Sequence, residues 1–291
     1  MRILNTPLYQ VDVFSSELFG GNPLAVFLRG EDFKESQLQQ VAREMNLSET
    51  TFVFPSTHSD ADFDVRIFTP EKEIPFAGHP TLGTAFVLRH TNMVPSTQHR
   101  IRLNFKSGVI PVSLEPDGKI FMTQPPGKIR ETIPNAEGVA QALGLTVNNI
   151  DPELPIQIAS TGFPALLVPI NSLRSIQRIV LNLSLLKVLL EEIKVDMIYP
   201  FTRQTCEEKN SIHARGFAPF IGINEDPATG SVAGALGYYL FEKNPEEKAM
   251  IIEQGYEMKR PGSIFVEIDE STGIRVGGNA RLVFKGDLYL E

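Results

Sequence analysis

The sequence contains one cysteine, Cys206, and no tryptophan in 291 residues. A single cysteine excludes an intramolecular disulfide and suits a reducing compartment. The missing tryptophan excludes nothing. No apolar run is long enough to span a bilayer, since the longest small and apolar stretch, Thr229 to Phe241, falls short. No apolar signal region follows Met1, so a cytoplasmic protein is expected. A basic excess is missing as well: the net charge of −8 argues against nucleic acid or an anionic membrane as the main partner. The histidines (His58, His79, His90, His99 and His213) are scattered, with no H-E-x-x-H and no C-x-x-C, so no metal site and no cofactor are expected. There is no P-loop and no G-x-G-x-x-G to cradle phosphates, and no G-x-S-x-G to present a nucleophilic serine.

What is present is ordinary globular composition, 42% hydrophobic and 21% charged, at a length that suits one large domain or two of common size. Leu8 to Phe14 alternates and reads as a strand, and Leu24 to Leu28 as a second, apolar one. Asp32 with Glu35 reads as a capping box for a helix whose buried stripe is Leu38, Val41, Ala42 and Met45. Strands are expected at Thr51 to Phe54 and Phe63 to Phe68. A helix opened by His79-Pro80 has a body, Leu82 to Leu88, with no polar face. Such a helix must be wrapped by other structure. Pro125-Pro126-Gly127 reads as a break between halves. Ser172 to Ile193 reads as one or two leucine-rich helices, and the last strands are expected between Ile264 and Phe284.

The chain also repeats itself. Arg66-Ile67-Phe68-Thr69-Pro70 and Arg215-Gly216-Phe217-Ala218-Pro219 share R-x-F-x-P, offset by 215 − 66 = 149. Each leads through a polar loop to a glycine, Gly78 or Gly230, that opens a small and apolar helix. Gly21 to Val26 matches Gly162 to Leu167 at an offset of 162 − 21 = 141. Two collinear matches imply two similar halves, each a sheet rolled around one apolar helix. The expected cleft between the halves would receive both helix starts, Gly78-His79 and Gly230-Ser231, whose free backbone N–H groups favour an anion. With Glu49 after the first helix and Asp226 before the second, the set comprises two carboxylates, an imidazole and a hydroxyl. It suits moving a proton between carbons of a small acid. Taken singly, each residue has a plainer reading: Glu49 a solvated acid, His79 a helix cap, Asp226 a turn residue before Pro227, Ser231 a first-turn residue. The two Arg-x-Phe units read as structural.

At these residues the chain resembles the PhzF-like isomerase family of phenazine biosynthesis, within the diaminopimelate epimerase-like fold. The resemblance rests on Asp12-Val13-Phe14 through Gly21-Asn22-Pro23-Leu24-Ala25-Val26, Asn46-Leu47-Ser48-Glu49-Thr50, Arg66 to Pro70 and Ala77-Gly78-His79-Pro80-Thr81. It continues through Arg215 to Pro219, Glu225-Asp226-Pro227-Ala228-Thr229-Gly230-Ser231 and Arg260-Pro261-Gly262, and so covers essentially the whole chain. It implies an α+β fold of two pseudo-symmetric halves, residues 1–115 with a closing strand at about 280–291, and residues 116–279. It implies a cofactor-independent isomerase, similar to trans-2,3-dihydro-3-hydroxyanthranilate isomerase, acting on a small carboxylated metabolite as a homodimer. Glu49 occupies the position of the family's proton-shuttling carboxylate; His79 and Asp226 match polar residues around the substrate, and Gly78, Gly230 and Ser231 match positions that hold it. Epimerases of this fold use a cysteine at each helix start. His79 and Ser231 stand there instead, so a two-thiol mechanism is excluded. Two other readings remain: a Ser231/His79/Asp226 hydrolase, and a binding or scaffold protein that kept the fold.

Overall fold

A computed structural model describes residues 4–269 and 271–290. The chain divides into two compact units, one running to Thr123 and resuming at Gly277, the other Gln124–Val276. The first unit is built on a sheet that alternates its pairing. Leu4–Val13 is antiparallel to Asn22–Phe27, which runs parallel to Glu49–Pro55. Glu49–Pro55 is antiparallel to Phe63–Phe68, which runs parallel to Arg100–Phe105, itself antiparallel to Gly108–Leu114. The final strand, Ala280–Leu290, returns to pair along Leu4–Val13.

A parallel pair needs a crossover, and each crossover here is a helix. Helix α1 (Glu35–Met45) joins the first pair and α2 (Gly78–His90) the second. The stripe expected on α1 is present, with Leu38, Val41 and Ala42 buried. Its cap is not the expected Asp32 and Glu35 box. Lys34 is the N-cap, and its backbone N–H donates to Gln37 Oε1 at 2.8 Å. Asp32 ends a preceding 3-10 turn and accepts from Thr6 Oγ1 at 2.7 Å, while Glu35 is taken by the Arg66 guanidinium at 2.7 Å. Tertiary partners outbid the local motif for both carboxylates.

The second unit repeats the same order. Gln157–Ser160 is antiparallel to Pro164–Pro169, which is parallel to Met197–Thr202. That strand is antiparallel to Ile212–Ala214, which is parallel to Ala249–Gln254, itself antiparallel to Gly262–Asp269. Its crossovers are helical too. After α3 (Ala136–Ala142), the first parallel pair is bridged by α4 (Leu173–Gln177) and α5 (Leu183–Ile193), and the second by α6 (Gly230–Lys243). The leucine-rich segment is thus two helices, capped by Ser172 and Asn182.

α2 and α6 are the wrapped helices. α2 packs on the strands Leu4–Val13, Asn22–Phe27, Glu49–Pro55, Gly108–Leu114, Ile120–Thr123 and Ala280–Leu290. α6 packs on strands of its own unit, Lys128–Thr132 to Pro164–Pro169 on one side and Ala249–Gln254 to Gly262–Asp269 on another. Burying side chains such as Leu82, Leu88, Leu236 and Leu240 contributes about 1.5–3 kcal/mol each. The small residues let the sheet come close: a Cβ on Gly83 would meet Leu24 Cδ2 at 2.5 Å, and one on Gly237 would meet Val266 Cγ1 at 2.5 Å. The two R-x-F-x-P units hold the first crossover of each unit. Arg66 pairs with Glu35 of α1, and Arg215 donates to the carbonyls of Ile176 and Ile179 at the end of α4. Each guanidinium also lies over its own phenylalanine, 5.1 Å from the Phe68 ring centroid and 4.8 Å from that of Phe217. Among the described residues, no helix is long and apolar enough to cross a membrane.

The repeated glycines Gly21 and Gly162 both sit at positive φ, +54° and +120°, just before equivalent strands. A Cβ on Gly21 would lie 2.0 Å from the Val13 carbonyl oxygen, whereas one on Gly162 meets nothing nearer than Pro125 Cγ at 3.6 Å. Gly21→Ala should therefore cost about 2 kcal/mol or more, from a left-handed backbone plus a main-chain clash. Gly162→Ala should cost less. Urea denaturation of both variants checks the order.

Candidate active site

Glu49 owes its position to the end of α1. Asn46 takes the left-handed conformation at φ 51°, and its N–H closes the last turn on the Ala42 carbonyl. Asparagine tolerates that conformation better than most residues. The chain then turns through Leu47-Ser48, and Glu49 becomes the first residue of the strand Glu49–Pro55, in parallel register beside Leu24. His79 is the second residue of α2. Strand register and helix start bring the two side chains together, with Glu49 Oε2 3.3 Å from His79 Nε2. Both residues are buried, 8% and 6% exposed.

Burial dominates the chemistry of Glu49. Loss of hydration pushes its pKa up from 4.5 to about 7, against the smaller, opposing influence of the neighbouring Ser48 hydroxyl. Ser48 is itself held by Asn22, to whose Oδ1 it donates at 3.2 Å. Glu49 Oε2 is shut off from solvent and accepts no hydrogen bond among the described residues. A carboxyl group poised near neutrality can both accept and return a proton. The start of α2 has no side-chain cap: Ala77 precedes Gly78 in extended conformation, and Thr81 Oγ1 donates to the Ala77 carbonyl at 2.8 Å. The N-cap residue itself thus offers no side-chain acceptor to the first turn.

The second unit holds the other expected residues. Asp226 ends the strand Ile223–Asp226 and is buried, and its Oδ2 accepts from Thr229 Oγ1 at 2.6 Å. Gly230 and Ser231 open α6, again without a side-chain cap from the preceding Thr229. A buried amide network fixes this turn. Gln254 Nε2 donates to the Asp226 carbonyl at 2.6 Å and to Thr229 Oγ1 at 3.0 Å, while its Oε1 accepts from Thr229 N at 3.1 Å and from the Tyr199 hydroxyl at 2.7 Å. Burial and the nearby Asp226 charge push the Tyr199 phenol far above its ordinary range, so it remains a donor. The α6 start is held from a second direction. Gln124 Nε2 donates to the Gly230 carbonyl at 3.1 Å, and Thr161 Oγ1 to the Ser231 carbonyl at 2.8 Å.

His79, Gly78, Gly230 and Ser231 lie at helix starts, Asp226 at the strand end leading to α6, and Glu49 at the start of the strand that follows α1. Glu49 and His79 meet directly, and Asp226, Gly230 and Ser231 share one turn. Sequence reasoning gave no role to Ser48 and Asn22, although both stand inside the motifs quoted above. Tyr199, Gln124, Thr161 and Gln254 carried no signal, because their partners lie far away in sequence.

Compared with known protein families, residues 11–286 match the phenazine biosynthesis-like proteins. The chain belongs to that family. Within the family, it is 33% identical over 291 residues to the trans-2,3-dihydro-3-hydroxyanthranilate isomerase of Pseudomonas aeruginosa, covering 96% of this chain and 98% of that one. The solved structure of a Bacillus anthracis phenazine biosynthesis protein of the PhzF family is 29% identical and superposes with a TM-score of 0.88, each chain covered in full. A hydroxyproline epimerase from Agrobacterium vitis, only 10% identical, superposes with a TM-score of 0.65 over 98% of this chain and 93% of its own. That likeness is one of fold, and it supports the diaminopimelate epimerase-like architecture expected above. As a member of this family the chain is an isomerase.

The raised pKa of Glu49 has a consequence for stability. Between pH 4.5 and about 7 the folded state holds a proton that the unfolded state releases. The associated stability is fully present below the unfolded pKa and lost as pH rises through the folded one. Glu49→Gln removes that loss. The variant should gain on the parent by roughly 3 kcal/mol between about pH 4 and about pH 8. Thermal unfolding across that range measures the divergence.

Proposed function

We propose that the protein is a cofactor-independent isomerase that moves a proton between carbons of a small carboxylated metabolite, with Glu49 as the group that takes and returns it. The observation that carries this reading is the buried Glu49 carboxyl with a pKa near 7, set 3.3 Å from His79. In its ionised form Glu49 abstracts a proton from an activated carbon. The protonated carboxyl then delivers that proton to another carbon of the same molecule, so no proton is gained or lost overall. His79, beside it, binds a polar group of the substrate and adjusts the basicity of the carboxylate.

The second half-site supplies binding in this reading. The uncapped helix start at Gly230 suits a carboxylate, which the Ser231 hydroxyl would hydrogen-bond, and Asp226 takes a polar substituent. The likeness to the Pseudomonas aeruginosa isomerase makes a cyclic amino acid such as trans-2,3-dihydro-3-hydroxyanthranilate the first compound to try. Pairing of His79 with Glu49 favours carbon-acid chemistry over a Ser231/His79/Asp226 hydrolase.

The test is incubation with that compound, and with a panel of small unsaturated and hydroxylated carboxylates, in deuterium oxide. Wild-type protein should convert one isomer to the other, with deuterium entering the product carbon to the extent that the Glu49 carboxyl exchanges with solvent between the two steps. The rate at low substrate should rise with pH through about 7, as Glu49 ionises. Glu49→Gln should lower conversion by about 10²–10⁴-fold or more. Conversion at the wild-type rate by Glu49→Gln would rule out the assigned role.

A further inference from the structure

The second unit contains another group of ionisable side chains, which the proton-transfer reading does not use. The parallel pairing of Ile212–Ala214 with Ala249–Gln254 sets His213 opposite Glu253. The imidazole is fully buried, with Nδ1 2.7 Å from Glu253 Oε1 and Nε2 3.1 Å from Glu257 Oε1. Cys206 stands at the surface, its Sγ 3.8 Å from the same Nδ1. One donor atom from each of Cys206, His213 and Glu253 falls within 4.8 Å of the other two.

We propose that Cys206, His213 and Glu253 bind a soft divalent cation, with zinc the best match. A thiolate, an imidazole and a carboxylate are the donor types of zinc sites. Tetrahedral zinc with bonds of about 2.3 Å to sulfur and about 2.05 Å to nitrogen holds those two atoms about 3.6 Å apart. The observed Cys206 to His213 separation, 3.8 Å, needs almost no change. Glu253 Oε1 has only to withdraw from Nδ1 by well under about 1 Å to admit the ion.

The surroundings are those of a metal site. Histidine ligands commonly donate their other ring N–H to a carboxylate, which fixes the tautomer and orients the ring. Glu257 does this for His213 at Nε2 and leaves Nδ1 facing Cys206 and Glu253. Arg215 Nε, 3.9 Å from Glu257 Oε2, offsets the charge of that carboxylate. Glu253 is oriented by donors of its own, the backbone N–H groups of Cys206 and Glu207 and the Asn210 side-chain amide. Cys206 is exposed, which gives an entry path. The ion replaces two protons, one from the Cys206 thiol and one from His213 Nδ1, so the total charge of the cluster is unchanged. Cys206, His213 and Glu253 are separated by 7 and 40 positions, which matches no metal-binding signature and explains why the pattern is silent. Glu253 is followed by Gln254, which braces Asp226 and Thr229 at the start of α6. An ion here would stiffen the strand that carries that brace.

The test uses the full chain stripped of metal by a chelator and titrated with Co²⁺ as a spectroscopic probe. One equivalent should bind and give a thiolate-to-cobalt charge-transfer band in the near ultraviolet, displaced by Zn²⁺. Cys206→Ser, a surface change that leaves the fold intact by circular dichroism, should abolish the band. Glu257→Gln should keep the band and weaken binding by about 10–100-fold. Absence of the band in the folded wild-type chain, its survival in Cys206→Ser, or unaltered affinity in Glu257→Gln would each overturn the proposal.

Discussion

The structure turns on keeping one carboxyl group out of water. A buried carboxylate without full hydrogen bonding is costly, and the molecule meets that cost at Glu49 by raising its pKa to about 7. Several features of the first unit combine to hold it there. The left-handed Asn46 ends α1 at the right residue, the parallel register beside Leu24 fixes the strand start, and the buried body of α2 packs on that same strand. His79 then lies beside the carboxyl because it is second in α2. None of these features concerns the site alone. Each is also needed to bury the core.

The second unit repeats the topology of the first. Both units run antiparallel, parallel, antiparallel, parallel, antiparallel, and both place a glycine-led apolar helix in the second crossover. Arg66 and Arg215 clamp the first crossover of each unit onto its sheet. The copies have diverged in what stands at the helix start. The first unit places an imidazole against a desolvated acid. The second places a hydroxyl after a turn fixed by Gln254, Tyr199, Gln124 and Thr161. The helix start is common to both, and the chemistry differs.

Much of this was legible in the sequence. The R-x-F-x-P repeat and the glycine-led helices gave the two halves, because wrapped helices and tight turns leave strong local signals. Glu49, His79, Asp226 and Ser231 are candidates by place and by family motif. The cap of α1 was misread, since Asp32 and Glu35 have the right spacing for a box but are taken by Thr6, Arg29 and Arg66. The apposition of Glu49 and His79 was not legible either. It depends on a strand register and a helix start meeting in space, and no periodicity records that. Gln254 was silent for the same reason: its partners are twenty-five and more residues away.

A site-resolved titration of the Glu49 carboxyl, by ¹³C NMR of glutamate-labelled protein with Glu49→Gln to assign the resonance, tests its burial most directly. The midpoint should fall near pH 7, well above the ordinary glutamate value of 4.5. A Glu49 midpoint at or below that ordinary value would contradict it.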